Sequence, residues 1–198
     1  MAIKITKPSI GGFTIIEVLI VLSLMAVLAS IAVSDMNLLT TSKILKARDN
    51  FFIALNKARN LAINHNSPVS LCKSANMAKC TNQDGYEQGW IIFTDVDRDG
   101  KYDSGERKFS LSNLNLGSIS IRGNNNFKNR VTFLPSGDST TFGRFVLCHN
   151  SRLKTSEMIF INSTGKPRIA PDNNKNRIPE DYNNKDILSC LTATTILD

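Results

Sequence analysis

The acidic residues between Asp95 and Glu106 have the types and the spacing that could bind a metal ion. The segment DVDRDGKYDSGE matches positions 1, 3, 5, 6, 9 and 12 of the calcium-loop pattern with Asp95, Asp97, Asp99, Gly100, Asp103 and Glu106. Carboxylates at alternate positions can converge on one Ca²⁺, while the glycine permits a sharp turn. The sequence of this segment therefore fits a calcium loop.

The context of the loop favours a simpler role. A calcium loop of this kind lies between two helices, whereas the Ile- and Phe-containing runs on both sides of 95–106 predict strands. Aspartate and glycine also favour turns in the absence of any ion. We therefore expect a turn that joins two strands, with no bound metal or cofactor, and an occupied Ca²⁺ site is the alternative.

The other residues that commonly do chemistry do not form an enzyme motif. His65 lies at a predicted helix end and His149 follows Cys148, and neither belongs to a metal-binding or nucleophile motif. The sequence has no phosphate loop, nucleophile elbow or paired His–Glu signature. We therefore expect a protein that is not an enzyme.

Apolar spacing predicts a long helix followed by strands. From residue 34 to 66, apolar residues recur mostly at intervals of three, four and seven, and Pro68 disfavours a helical residue before it. Short runs rich in Val, Ile and Phe, separated by turn residues, then predict strands. These strands are expected at 69–74, 89–95, 107–112, 118–123, 131–136, 144–149 and 157–163, with a short last strand at 168–170.

The N-terminal stretch GGFTIIEVLIVLSLMAVLASIAV predicts a membrane span. Glu17 is the only ionisable residue from 13 to 33, and a helix of that length extends about 32 Å, enough to cross a hydrocarbon core of about 30 Å. Lys4 and Lys7 precede it, so the positive-inside tendency places the leader in the cytoplasm and the rest outside. An acid in the bilayer costs roughly 2.5–3.5 kcal/mol, which indicates a functional role for Glu17.

The residues Gly12-Phe13-Thr14-Ile15-Ile16-Glu17 resemble the processing site of type IV pilins and type II secretion pseudopilins. The resemblance implies that a prepilin peptidase cuts after Gly12 and N-methylates Phe13. It also implies that Glu17 helps to register the subunit during assembly with other pilins. The new amino group of Phe13 could pair with Glu17 of a neighbouring subunit.

Two further segments, NKARNLAINHNSPVSLCKS and GWIIFTDVDRDGKYDSGE, resemble the H-type pseudopilin and FimT minor pilin family. The resemblance implies an α+β, pilin-like fold, in which a long N-terminal helix packs on a β-rich domain of two small antiparallel sheets. It further implies a single-pass subunit of the inner membrane with its C-terminal domain in the periplasm. Such a subunit enters a pilus or pseudopilus on assembly.

These features divide the chain into five segments. We expect a cleaved leader at 1–12, a transmembrane and assembly helix at 13–33 and an amphipathic periplasmic helix at 34–66. A β-rich globular domain at 67–170 and a polar tail at 171–198 follow. The tail is rich in Asn, Asp and Lys, and this composition predicts a weakly structured segment.

Export would place the four cysteines in an oxidising compartment, where an even number of thiols favours disulfides. Four cysteines allow three pairings. We favour Cys72–Cys80, which closes a short loop, and Cys148–Cys190, which ties back the tail. A zinc site made of all four cysteines is the alternative, although no CxxC spacing supports it.

The formal net charge of +7 is unevenly distributed along the chain. Residues 84–106 contain seven acidic and two basic side chains, whereas residues 143–178 contain seven basic and two acidic ones. The later segment therefore predicts an electropositive patch suited to a polyanion.

Within that segment, Gly165-Lys166-Pro167-Arg168 resembles the Gly-Arg-x-Arg motif of DNA-binding FimT proteins. Lysine stands in place of the first arginine, so it attracts a phosphate as a point charge without a bidentate fork. The resemblance implies that Lys166 and Arg168 bind double-stranded DNA for uptake in natural transformation, and a solvated basic turn is the alternative. Without DNA binding, the resemblance implies the purely structural role of an H-type minor pseudopilin in protein export.

Overall fold

The computed structural model describes residues 12–34, 36–83, 85–112 and 116–190. The chain divides into two compact units, residues 1–39 and residues 40–198. The first unit contains helix α1, Ile15–Ser34, and the second contains the strands and most of helix α2, Met36–His65.

The first unit contains an almost entirely apolar helix. α1 follows Thr14, whose hydroxyl accepts a hydrogen bond from the Glu17 N–H at 3.3 Å, as threonine commonly does at the start of a helix. Every side chain from residue 12 to 29 is exposed. In the described parts of the chain, no helix is both long enough and apolar enough to span a membrane. The span expected at 13–33 stays a prediction.

The described residues of the second unit form two four-stranded antiparallel sheets. The strands are β1 Val69–Lys73, β2 Trp90–Thr94, β3 Lys108–Ser112, β4 Ile119–Gly123, β5 Arg130–Phe133, β6 Gly143–His149, β7 Arg152–Ile161 and β8 Pro167–Ile169. The first sheet has the order β3-β2-β1-β5, and the second has the order β4-β6-β7-β8. Together with the helices, these sheets confirm the expected α+β, pilin-like fold.

α2 packs one stripe of its surface against both sheets. The buried residues of the stripe follow helical spacing: Ile44, Ala47, Phe51, Ala54, Leu55, Ala58 and Ala62. The Phe51 ring lies 5.0 Å from the Trp90 ring of the first sheet and 4.8 Å from the Phe145 ring of the second, in edge-to-face contacts. Phe51 therefore joins the helix and the two sheets into one core. The helix ends at His65, and Asn66 adopts the left-handed conformation common at helix ends.

One local feature differs from the expectations, and another expectation extends to a residue outside the described ones. The helix expected from residue 13 to 66 is described as α1, Ile15–Ser34, and α2, Met36–His65, and Asp35 between them lies outside the described residues. β7 begins at Arg152, five residues before the predicted start. The sequence from 152 to 156 is polar apart from Leu153, and more exposed residues alternate with less exposed ones from 152 to 155, which is a strand pattern with one face in water.

Candidate nucleic-acid interface

Lys166 and Arg168, the residues predicted to bind DNA, lie at a hairpin on the edge of the second sheet. The turn after β7 closes through Gly165, whose N–H donates to the Asn162 carbonyl at 2.9 Å. Gly165 has a φ of 69°, and a Cβ at this position would collide with the Gly137 carbonyl oxygen, so glycine is required. Both basic side chains beyond the turn are exposed.

Arg168 belongs to a row of side chains that crosses three strands. It pairs with Phe160 of β7, and Phe160 pairs with Arg144 of β6. Residues paired directly across antiparallel strands project from the same face of the sheet. Arg144 is 8% exposed, Phe160 is partly buried and Arg168 is exposed. The row therefore places an aromatic ring between two guanidinium groups, and its accessibility increases toward the sheet edge.

This row forms part of a groove with a volume of about 1030 Å³. Lys166 also lines the groove, as do two aromatic side chains, Phe142 and Tyr182, which are 60% and 66% exposed. Among the described residues that line it, three are cationic and one, Asp181, is acidic. Arg144 and Asp181 are both buried, at 8% and 1% exposure, whereas Lys166 and Arg168 are exposed, so the accessible charge of the groove is positive.

The C-terminal segment 171–190 forms part of this groove because it packs on the sheet face that carries the row. A small apolar cluster makes the contact: Val146, Cys148, Met158, Ile187 and Cys190. A disulfide joins Cys148 of β6 to Cys190, with their Cα atoms 5.8 Å apart. The segment is therefore attached to the sheet by both apolar packing and a covalent bond.

Hydrogen bonds hold Tyr182 in a tight turn of that segment. The Asp181 carboxylate accepts the N–H groups of Asn183 and Lys185 at 2.8 and 3.0 Å, and the Asp181 carbonyl accepts the Asn184 N–H at 3.0 Å. Aspartate commonly stabilises turns in this way. The expectation of a weakly structured tail is wrong for residues 171–190, because side chain–backbone hydrogen bonds replace regular secondary structure there.

Both disulfides have the pairing favoured from the sequence. Cys72–Cys80 links residues eight positions apart, and Cys148–Cys190 links residues 42 positions apart. In the described part of the chain no cysteine is unbonded. The four cysteines therefore form cross-links, which leaves no free thiol for the alternative of a four-cysteine zinc site.

The acidic loop connects β2 to β3, which pair as antiparallel neighbours. The carboxylates of Asp95, Asp97 and Asp99 lie within 4.8 Å of one another. Asp95 is fully buried and accepts hydrogen bonds from the Ser70 hydroxyl and from the Gly100 N–H, the latter at 3.1 Å. These bonds satisfy the buried carboxylate within the protein, which favours the turn interpretation and leaves Ca²⁺ as the alternative.

Other carboxylates of the loop, Asp97, Asp99 and Glu106, also accept hydrogen bonds from its backbone. Glu106 accepts the N–H groups of Val96 and Asp103 at 3.2 and 3.0 Å. Partial burial raises the pKa of Glu106. A hydrogen bond from the Lys101 N–H is the main cause that lowers the pKa of Asp99. The hydrogen bonds of these side chains hold the backbone of their own loop.

The predicted processing and assembly residues lie in the first unit. Gly12 and Phe13 precede α1 and are exposed, and a Cβ on Gly12 would have no heavy atom within 4 Å. Glu17 is an exposed residue in the first turn of α1. All three residues are accessible, and their roles stay predictions.

Two family models match the chain in complementary regions. The prokaryotic N-terminal methylation motif matches residues 8–33, and the type II transport protein GspH matches residues 47–165. The chain belongs to the GspH family. The GspH match ends at Gly165, so Lys166 and Arg168 lie just beyond it.

Solved structures of two minor subunits are similar to this GspH-family protein. The type IV minor pilin FimU of Pseudomonas aeruginosa has a TM-score of 0.52 and 16% identity, over 66% of this chain and 90% of that chain. The minor pseudopilin EpsH of the Vibrio cholerae type 2 secretion system has a TM-score of 0.43 and 9% identity, over 66% and 98%. The FimU likeness supports the pilin-like fold. No curated protein sequence matches the chain.

The family match defines the general class of the protein. The GspH-family protein is a minor pilin or pseudopilin of the type IV pilus and type II secretion class. Its methylation motif implies processing by a prepilin peptidase and assembly with other pilins.

No sequence motif identifies the other groove residues of the GspH-family protein. Phe142 and Tyr182 are isolated aromatic residues in polar surroundings, whereas Arg144 and Phe160 alternate with core residues along β6 and β7. From that alternation, the sequence alone could have placed Arg144 and Phe160 on the sheet face opposite the main core. It does not indicate which residues stand beside them on neighbouring strands.

Proposed function

We propose that this GspH-family protein is a minor type IV pilin that binds double-stranded DNA for uptake in natural transformation. The observation that supports this most directly is the grouping of Lys166, Arg168 and Arg144 around one groove whose accessible charge is positive. Lysine and arginine arranged in this way neutralise phosphates without reading the base sequence. The GspH family match alone does not supply this activity, because it ends before Lys166.

The N-terminal unit is proposed to anchor and assemble the subunit. In this scheme a prepilin peptidase removes residues 1–12 and methylates Phe13, residues 13–33 cross the inner membrane, and the remaining segments, 34–66, 67–170 and 171–198, lie in the periplasm. The almost entirely apolar sequence of α1 and the exposed position of Gly12 support this arrangement.

Glu17 is proposed to register the subunit in the filament. Replacing Glu17 with alanine should leave leader cleavage intact but abolish incorporation into filaments, because the partner of the neighbouring amino group is lost. Immunoblots of membrane and sheared-filament fractions measure both steps, with Glu17→Asp as the matched control. Normal incorporation of the alanine variant would remove this role.

DNA binding is tested with the full-length protein in detergent, by gel shift with a fluorescent duplex across a salt series. The double variant Lys166→Gln, Arg168→Gln should bind more weakly and with less salt dependence. Each phosphate contact contributes about 0.9 to the slope of log affinity against log salt. The double variant lacks two such contacts, so its loss of affinity between roughly 50 and 200 mM salt should be about tenfold smaller than that of the wild type.

A matched variant separates the groove from net charge. Arg152→Gln, Lys154→Gln removes the same two residue types from the opposite end of β7, where both side chains are exposed. Lys154 lies about 20 Å along the strand from Phe160, so this variant should bind like the wild type. Equal weakening by both pairs would mean that net charge alone matters. Unchanged binding of the groove variant would exclude Lys166 and Arg168.

The second candidate function is that of an H-type minor pseudopilin with a purely structural role in protein export. The description of the matched family as a type II transport protein favours it. A deletion strain distinguishes the two functions, because the first predicts loss of DNA uptake and the second predicts loss of secretion. Complementation of uptake by the wild type, but not by the Lys166/Arg168 variant, would support the first. Both candidate functions require assembly with other subunits, and neither assigns a chemical reaction to the protein.

A further inference from the structure

The groove has a feature that phosphate binding does not need, namely two exposed aromatic side chains. Phe142 and Tyr182 are both more than half exposed and line the same concave surface as Lys166 and Arg168. Cations recognise the phosphates of a nucleic acid, whereas aromatic rings stack on the faces of its bases. The combination therefore fits a strand whose bases are accessible.

The backbone around both aromatic residues is held in place before any ligand arrives. Tyr182 lies in the turn that the Asp181 carboxylate stabilises. The Phe142 carbonyl accepts a hydrogen bond from the Asn126 side-chain amide at 2.8 Å. Groups that are already ordered lose less conformational freedom on binding. The backbone positions from which the two rings project are therefore fixed before binding.

The concave shape favours an unpaired strand over an intact duplex. In a duplex, each base face is covered by the neighbouring base pair, so a protein reaches only phosphates, sugars and base edges. The groove volume of about 1030 Å³ is similar to that of pockets that enclose small molecules. Such a space fits a few splayed nucleotides, whose bases are free to stack on side chains.

We propose that the groove binds an unpaired stretch of a DNA strand, with its bases stacked on Tyr182 and Phe142 and its phosphates held by Lys166 and Arg168. This inference rests on the proposed function and specifies the form of DNA. A duplex with a single-stranded end binds more tightly than the same duplex with blunt ends. The aromatic residues supply that preference, and the cations supply binding to either form.

The test uses the full-length protein in detergent and fluorescence anisotropy with three probes built on one duplex. One probe is blunt, one carries an oligothymidine overhang, and one carries an abasic overhang of the same length and charge. The wild type should bind the thymidine overhang at least about fivefold more tightly than the abasic overhang. Tyr182→Ala and Phe142→Ala should each reduce this preference. Tyr182→Phe, which keeps the ring, should retain it.

Leu188→Ala is the control for general loss of apolar surface, because Leu188 is exposed on the same segment but does not line the groove. This variant should keep the wild-type preference. Equal affinity of the wild type for the thymidine and abasic overhangs would overturn the inference, because it would mean that the groove binds only a polyanion. A preference that survives in both Tyr182→Ala and Phe142→Ala would also overturn it.

The blunt probe separates this inference from the proposed function. In one outcome, Lys166→Gln, Arg168→Gln weakens binding to the blunt duplex, and the wild type binds the thymidine and abasic overhangs with equal affinity. The proposed function then stands and the inference fails. If the wild type binds none of the three probes, both fail.

Discussion

The Cys148–Cys190 disulfide provides a quantitative test of how the C-terminal segment is held. The change is the replacement of both cysteines with alanine, compared with the same replacement of Cys72 and Cys80. In the chain-entropy relation, the stability lost with a disulfide increases with the logarithm of the number of residues in the closed loop. Because the two disulfides close loops of very different length, their removal should lower stability by different amounts, and each double variant is the control for the other.

The expected losses follow from the sequence separations of 42 and 8 residues. Removal of Cys148–Cys190 should lower the free energy of unfolding by about 4 kcal/mol, and removal of Cys72–Cys80 by about 2.5 kcal/mol. The longer loop should also matter for DNA. Without its disulfide, the segment that carries Tyr182 loses its covalent cross-link to the sheet and keeps its contact through a small apolar cluster. Weaker binding to DNA is therefore expected for this variant alone.

Urea unfolding followed by tryptophan fluorescence measures the stability of both variants. The sequence contains one tryptophan, and Trp90 is buried against Phe51 in the main core. Its signal therefore reports unfolding of the domain as a whole. Equal losses in the two variants, or a larger loss for the short loop, would refute the chain-entropy reasoning. Unchanged DNA binding without Cys148–Cys190 would show that the segment stays in place without the cross-link.

Two further predictions concern buried polar groups and use the same unfolding assay. Tyr86→Phe should cost about 1 kcal/mol at neutral pH, because the buried Tyr86 hydroxyl donates to the Phe127 carbonyl at 2.8 Å. Burial raises the pKa of Tyr86 well above its ordinary value. Above about pH 10 the Tyr86 hydroxyl therefore loses its proton in the unfolded state before it does so in the folded state. The free energy of unfolding then falls with rising pH, by up to about 1.4 kcal/mol per pH unit. The phenylalanine variant should lack this contribution, and identical pH profiles would contradict the assignment. Asp95→Ala should lower the free energy of unfolding by about 2 kcal/mol, because the Gly100 N–H and the Ser70 hydroxyl lose a buried acceptor. Asp95→Asn keeps one acceptor oxygen and should cost less. An alanine variant as stable as the wild type would mean that the carboxylate does not stabilise the turn.

Much of the fold is predictable because it depends on local patterns. Short runs rich in Val, Ile and Phe locate the eight strands, to within three residues at every end except the start of β7, and the stop near Pro68 agrees with the end of α2 at His65. The turn at Gly165 is predictable for the same reason, since only glycine adopts its conformation without strain. Lys166 and Arg168 therefore follow from the sequence as exposed residues beyond a turn.

The groove is not predictable in the same way, because distant segments build it. Arg144 and Arg168 share one row only through the pairing register of β6, β7 and β8, and alternation alone does not specify a register between strands. Tyr182 comes to the groove through a segment whose polar composition predicts little structure. That segment is fixed by the cross-link to Cys148 and by the hydrogen bonds of Asp181, which depend on the folded sheet.

Strand β8 has a consequence for solubility, because it is the outermost strand of the second sheet. An edge strand presents unpaired backbone groups that can recruit a strand from another molecule and start aggregation. β8 limits this hazard because it has only three residues, begins with Pro167, which lacks an N–H donor, and continues with the charged Arg168. The residue proposed to attract DNA thus also keeps this edge from pairing with other copies. Replacing Arg168 with an apolar residue would confound a DNA-binding assay with self-association, whereas glutamine keeps the edge polar.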